Sequence, residues 1–231
     1  MTPKIKFKID PKKDVSTFFD FLRDSKYDEG RNFEWAILKY YPYFKKFNNE
    51  IDKKIVEDFV LKYYSKNKDI IEKNLLVHEN NWRKIEKDFF NLASNLFLKT
   101  KWPKGKYISY TTMWSMYPRF LDDKTFQIPA ISKKKKTINF IIAHEMLHFI
   151  FYEYFFNKYK KYKSYKYDFF VWHVSEIFNV LIMNRPEWQK ILKNKDEGYP
   201  EHRKIIQKLS KKNYNLDDLI ENIMIEVNKI I

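Results

Sequence analysis

The sequence predicts an α+β chain, predominantly helical, with a small sheet ahead of its most apolar helix. Three observations carry this. Only 3 of the 231 residues are Gly and 8 are Pro, so few positions permit tight turns and long unbroken elements are favoured. Long segments repeat apolar residues every three or four positions, the period of a helix with one buried face. One stretch, 106–129, departs from that pattern with two β-prone runs that follow Trp102, Pro103, Lys104 and Gly105.

In chain order, residues 4–9 alternate Lys with apolar residues and read as a short half-buried strand. Asp14 reads as the N-cap of a helix over 15–24. Residues 32–41 read as a helix ended by Pro42, and 49–66 as another. The segment 82–99 has the clearest helical period. Strands are expected near 106–112 and 125–129, and a helix over 137–157. A basic, aromatic connector over 158–166 leads to a second apolar helix over 167–184, which must stop before Pro186. Short helices follow near 187–193 and 201–211. The last helix takes Asn215 as N-cap, with Asp217 and Asp218 in the first turn where the helix dipole favours them. Residues 1–100 thus form an N-terminal helical region and 101–231 the chemistry-bearing region, together expected to make one compact unit.

Composition excludes several classes of function. The chain has no Cys, which rules out disulfides, Cys-ligated metals and thiol nucleophiles. The N-terminal stretch lacks an apolar core and is not a signal peptide, so a cytoplasmic protein is expected. Residues 138–156 are long enough to span a bilayer, but two His and two Glu within them make that costly, and no membrane role is expected. The net charge is +15, yet only six of the 45 basic residues are Arg. Readers of nucleic acid usually need Arg forks, so a solvated Lys surface is favoured over a nucleic-acid partner. The same holds for the Lys133–Lys136 run and the 158–166 connector.

The apolar run 138–156 contains His144, Glu145 and His148. Four helical residues turn about 400°, so both imidazoles leave one face and their nitrogens can reach one metal ion. Glu145 lies about 100° round from His144, placed to act on water without ligating the metal. This is the His-Glu-x-x-His arrangement of zinc hydrolases. No Gly or Pro falls between 131 and 185, so the helix can run unbroken. A catalytic zinc takes three protein ligands and keeps one open position. A third His six residues after His148 is absent, since Tyr154 stands there. Glu176, a carboxylate on the apolar helix 167–184, is the expected third ligand, because a lone buried carboxylate is costly unless paired. His173, one turn earlier, is the alternative ligand or an outer-shell partner. Asn179, one turn later, is a candidate for holding a ligand histidine.

The "HEMLH" motif with the later Glu176 helix resembles the gluzincin branch of zincin-like metallopeptidases. The resemblance covers roughly 105–183. It implies a zincin-like fold in a minimal single-domain version, with an added N-terminal helical part and a small sheet whose edge strand pairs with substrate. It also implies Zn2+ as cofactor, a peptide or protein substrate, and Glu145 as the base that takes a proton from water and passes it to the leaving amine. The family usually has Asp four residues after the glutamate; here Val180 stands there, with Asn179 one position off. A downstream His or Tyr often stabilises the oxyanion in this family. His202 is the expected residue, with Tyr199, Tyr110 and Tyr117 as alternatives. The other class of function open to the sequence is a catalytically inactive zincin-scaffold binding module for nucleic acid or an acidic partner, resting on the +15 charge. His78 is assigned no function.

Overall fold

The computed structural model describes residues 2–22, 40–47, 51–98, 100–132 and 135–231. Strand β1 (Lys6–Lys8) is followed by helix α1 (Pro11–Leu22) and, after a 3-10 turn at Pro42–Phe47, by α2 (Lys53–Lys66) and α3 (Lys68–Phe97). Strands β2 (Ile108–Thr112), β3 (Arg119–Phe120) and β4 (Thr125–Pro129) come next. Five helices complete the described chain: α4 (Lys135–Lys158), α5 (Asp168–Met183), α6 (Pro186–Leu192), α7 (Arg203–Leu209) and α8 (Leu216–Val227). The protein is α+β and mostly helical. The helix expected over 32–41 lies almost wholly outside the described residues.

Helix α1 begins earlier than the sequence suggested, and Asp14 is not its cap. Pro11, with its fixed φ, suits the first helical position, and Asp10 Oδ1 accepts the Lys12 N–H at 3.1 Å. Asp14 is fully buried inside the helix. Helix α3 starts at Lys68 rather than 82, because the weakly apolar stretch 68–81 is helical too. The caps at Asp52, which accepts from Ile55 N at 2.8 Å, and at Asn215, which accepts from Asp218 N at 2.9 Å, follow the usual side-chain pattern.

The sheet has the order β1-β2-β4-β3. β1, β2 and β4 run parallel, and β3 lies antiparallel on the edge, pairing Arg119 with Phe126. All five residues of β4 are buried, as expected of a strand covered on both faces. Helix α4 packs on one face, with Phe149 5.3 Å from Tyr107 and 6.4 Å from Phe126, ring centroid to centroid. α4 is apolar nearly all round because the sheet, α3 and α5 enclose it. Phe178 of α5 sits 4.8 Å from Phe151 and 5.8 Å from Phe97, tying the three helices together. A second cluster, with Phe18, Phe44, Val60 and Trp114, fills the space under α1 and α2. Ile5, Trp82 and Phe97 share one core with α4 and α5, so residues on both sides of position 100 build the support for the motif helix. Among the described residues, no helix is long and apolar enough to cross a membrane.

Candidate metal centre

Helices α4 and α5 bring His144, His148 and Glu176 together. His144 Nε2 lies 3.0 Å from His148 Nε2 and 3.0 Å from Glu176 Oε2, and His148 Nε2 lies 3.3 Å from Glu176 Oε1. These three groups can hold a metal ion. Donor atoms about 3.3 Å apart are the edges of a four-coordinate shell with bonds of about 2.0–2.1 Å, so the observed spacings fit the donor set of such a site. Two imidazole nitrogens facing each other this closely satisfy only one lone pair between them, and a cation would take both.

The electrostatics suit that reading. Burial alone would raise the Glu176 carboxyl, but His148, His144 and hydrogen bonds from both hold it well below the usual carboxylate range. Burial, helped by the Arg119 charge, pushes His148 well below the ordinary histidine value. Burial opposes protonation of His144 as well, but the Glu176 charge outweighs it and raises this imidazole. An ionised carboxylate and a neutral imidazole are the forms that bind metals, so Glu176 and His148 stand ready for an ion, whereas His144 would give up its proton on binding one. Glu145 is buried, and its Oε2 accepts no hydrogen bond. Burial pushes its carboxyl up to about 7, against the pull of His144 and Arg119.

The remaining expected residues fall in two groups. Asn179 is fully buried, and its Nδ2 donates to the backbone carbonyl of His144 at 3.0 Å. It therefore fixes the main chain at His144 rather than an imidazole ring. His173 is not brought to the histidine pair. Its Nδ1 faces His202 Nε2 at 2.6 Å, and Glu176 takes the third place instead. His202 is fully buried in that second pair and does not line the cavity above the site, whereas Tyr199 does. Burial pushes His202 down to about 4, so it is neutral at ordinary pH. His78 is buried in α3, away from these residues.

The cavity over the site has a volume of about 690 Å³ and is lined by His144, Glu145 and Glu176, with Tyr117, Arg119 and Tyr199 among the rest. A second cavity of about 340 Å³ shares the same trio and extends past Phe140 and Gly198. The constellation therefore stands where two cavities adjoin. Comparison with protein-family models, with curated proteins and with solved structures finds no match to this chain.

Sequence reasoning missed Arg119 and Tyr152. Arg119, on edge strand β3, donates from Nη1 to Glu176 Oε1 at 3.1 Å and lies 3.9 Å from Glu145 Oε2. Its Nη2 reaches the Tyr152 hydroxyl at 3.4 Å. Tyr152 lies one turn beyond His148 on α4 and also receives the Ser175 hydroxyl at 3.4 Å. The available signal was chemical: Arg119 is one of only six Arg in a chain that otherwise uses Lys.

Proposed function

We propose that the chain is a zinc-dependent hydrolase of peptide bonds, a minimal gluzincin-type member of the zincin-like metallopeptidases. The observation that carries this reading is the convergence of His144, His148 and Glu176, with Glu145, whose Oε2 accepts no hydrogen bond, lining the cavity beside His144 and Glu176. His144, His148 and Glu176 would hold the metal. When bound, a zinc ion supplies Lewis-acid polarisation of a carbonyl and makes water more acidic. The protein's own contribution is then positional and protonic. Glu145, unable to ligate from its angle on the helix, accepts a proton from the attacking water and returns it to the departing amine. Asn179 holds the His144 main chain, and the α3–α4–α5 core keeps the ligands rigid. The two adjoining cavities provide room for chain on either side of a scissile bond. A peptide or protein is the substrate this reading assigns to them.

The test is Glu145→Gln in the zinc-loaded full chain, assayed on fluorescein-labelled casein and on a pooled peptide library. The variant should keep its zinc and lose turnover by at least about 10³-fold. Turnover retained at the wild-type level would refute the role of Glu145. Salt-dependent binding to nucleic acid with no metal-dependent cleavage would favour the binding-module reading.

A further inference from the structure

Among the described residues at the site, Arg119 carries a largely buried charge to which hydrolysis through Glu145 and the ligand trio gives no task. Its side chain is 13% exposed, and burying a guanidinium is costly unless it is paired. Pairing is present, since Nη1 bonds Glu176 and Nη2 reaches Tyr152, but these contacts use two of its five N–H donors. Neutralising Glu176 is a poor reason for the residue to be there. A cation beside a ligand carboxylate opposes a metal ion, and a chain with 45 basic residues, six of them Arg, has supplied Lys almost everywhere that only charge is wanted.

The placement is informative. Nη1 stands between the ligand carboxylate of Glu176 and the base carboxylate of Glu145, and the side chain lines the cavity. A carbonyl under attack by water activated at Glu145 develops its negative charge in this neighbourhood. The hydroxyl and indole donors on the same cavity wall, from Ser115, Tyr117, Tyr152, Trp172 and Tyr199, bring no positive charge, and His202 is turned into its pair with His173.

We propose that Arg119 is a catalytic residue whose guanidinium donates hydrogen bonds to the carbonyl oxygen of the scissile amide and to the oxyanion it becomes. The proposal rests on the hydrolase reading above. In the addition step a water lone pair forms the new C–O bond, the C=O π pair moves onto the carbonyl oxygen, and the water proton goes to Glu145. In the second step that pair re-forms the C=O bond. The C–N bond breaks with its electrons on nitrogen, which takes the proton from Glu145. Arg119 keeps all its protons and follows the charge on oxygen through both steps. Donors of this kind act mainly on kcat, by roughly 10²–10³-fold each.

The experiment compares wild type with Arg119→Lys and Arg119→Ala, full-length and zinc-loaded, on fluorescein-labelled casein. Zinc affinity is measured in parallel by competition with a fluorescent chelator, and folding by circular dichroism. Arg119→Ala should bind zinc at least as tightly as wild type, because a repelling charge is gone, and lose roughly 10²–10³-fold in kcat with KM changed by less than about 3-fold. Added guanidinium ion should restore activity to Arg119→Ala at least about 10-fold and leave Glu145→Gln unchanged. Arg119→Lys, which keeps the charge and loses the planar fork, guards against a fold defect in the alanine variant and should fall between the two. An unchanged kcat overturns the assignment. So does a kcat loss matched by zinc loss, which would make Arg119 a positioning residue for Glu176. A wild-type chain that binds zinc and cleaves nothing overturns the hydrolase reading together with this one. Cleavage by wild type with fully active Arg119 variants overturns this one alone.

Discussion

Replacing Asp14 by Asn should remove a pH-dependent instability built into the N-terminal part of the fold. Asp14 is fully buried; its Oδ2 accepts from the Tyr64 hydroxyl and from Met113 N, both at 2.9 Å, and its Oδ1 accepts from Gln127 Nε2 at 3.1 Å. Burial nevertheless dominates and pushes its carboxyl from the ordinary 3.8 up to about 6, with the hydrogen bonds holding it back only in part. The folded state thus binds this proton more tightly than the unfolded chain does. The stabilisation is fully present below about pH 4 and is lost as the pH rises through about 6. A shift of this size corresponds to about 3 kcal/mol, of which about 1–2 kcal/mol disappears between pH 5 and 7.5. An Asn side chain has no such titration. With its oxygen toward Tyr64 and Met113 it keeps both bonds, and a turn of the Gln127 amide satisfies its nitrogen. Gln127 Oε1, now held by the Thr17 hydroxyl at 3.2 Å, would face the substituted amide after that turn. Urea unfolding followed by tryptophan fluorescence at pH 5 and 7.5 should therefore show Asp14→Asn gaining about 1–2 kcal/mol on wild type between the two pH values. Asp14→Ala, which strands Met113 N and Gln127 Nε2 and leaves the Tyr64 hydroxyl the Thr111 carbonyl at 2.9 Å, should lose about 2–4 kcal/mol at pH 5. Parallel pH dependence in wild type and Asp14→Asn would refute the reasoning.

Two further predictions concern the supports of the site. Asn179→Ala removes the bond to the His144 carbonyl and should weaken zinc binding by about 10–100-fold in chelator competition, at a cost of about 1–2 kcal/mol in urea unfolding. Gly198 has φ +72°, and a Cβ there would approach Ile206 Cδ1 to 2.5 Å. Gly198→Ala should accordingly lose about 1–2 kcal/mol in thermal or urea unfolding while leaving zinc stoichiometry unchanged.

The site was legible in the sequence to the extent that helix periodicity carries it. His144 and His148 share a face because four residues make slightly more than one turn, and no Gly or Pro interrupts the run, so one helix reading placed both. Glu176 was legible because an ionisable group on an apolar helix needs a partner. Strand β4 and the Asn215 cap were legible from local composition and chemistry. What failed depended on distant partners. The parallel pairing of β1 with β2 joins residues about 100 positions apart, and no local pattern announces it. Asp14 looked like a cap because Asp is common there, whereas its fate was decided by Tyr64, Met113 and Gln127. His202 follows a Gly-containing loop and read as an accessible donor, but packing against His173 buries it. Arg119 sits in a two-residue strand too short to show a period, so its approach to Glu176 was invisible without the sheet.

The central claim is that His144, His148 and Glu176 hold one metal ion, and the most direct test is elemental mass spectrometry of the purified chain beside His148→Ala. About one zinc per wild-type chain, lost in the variant while its circular dichroism is retained, is the predicted result. No zinc in either protein, even after zinc is added and excess removed, would contradict the account and leave the three residues as a buried hydrogen-bonded cluster.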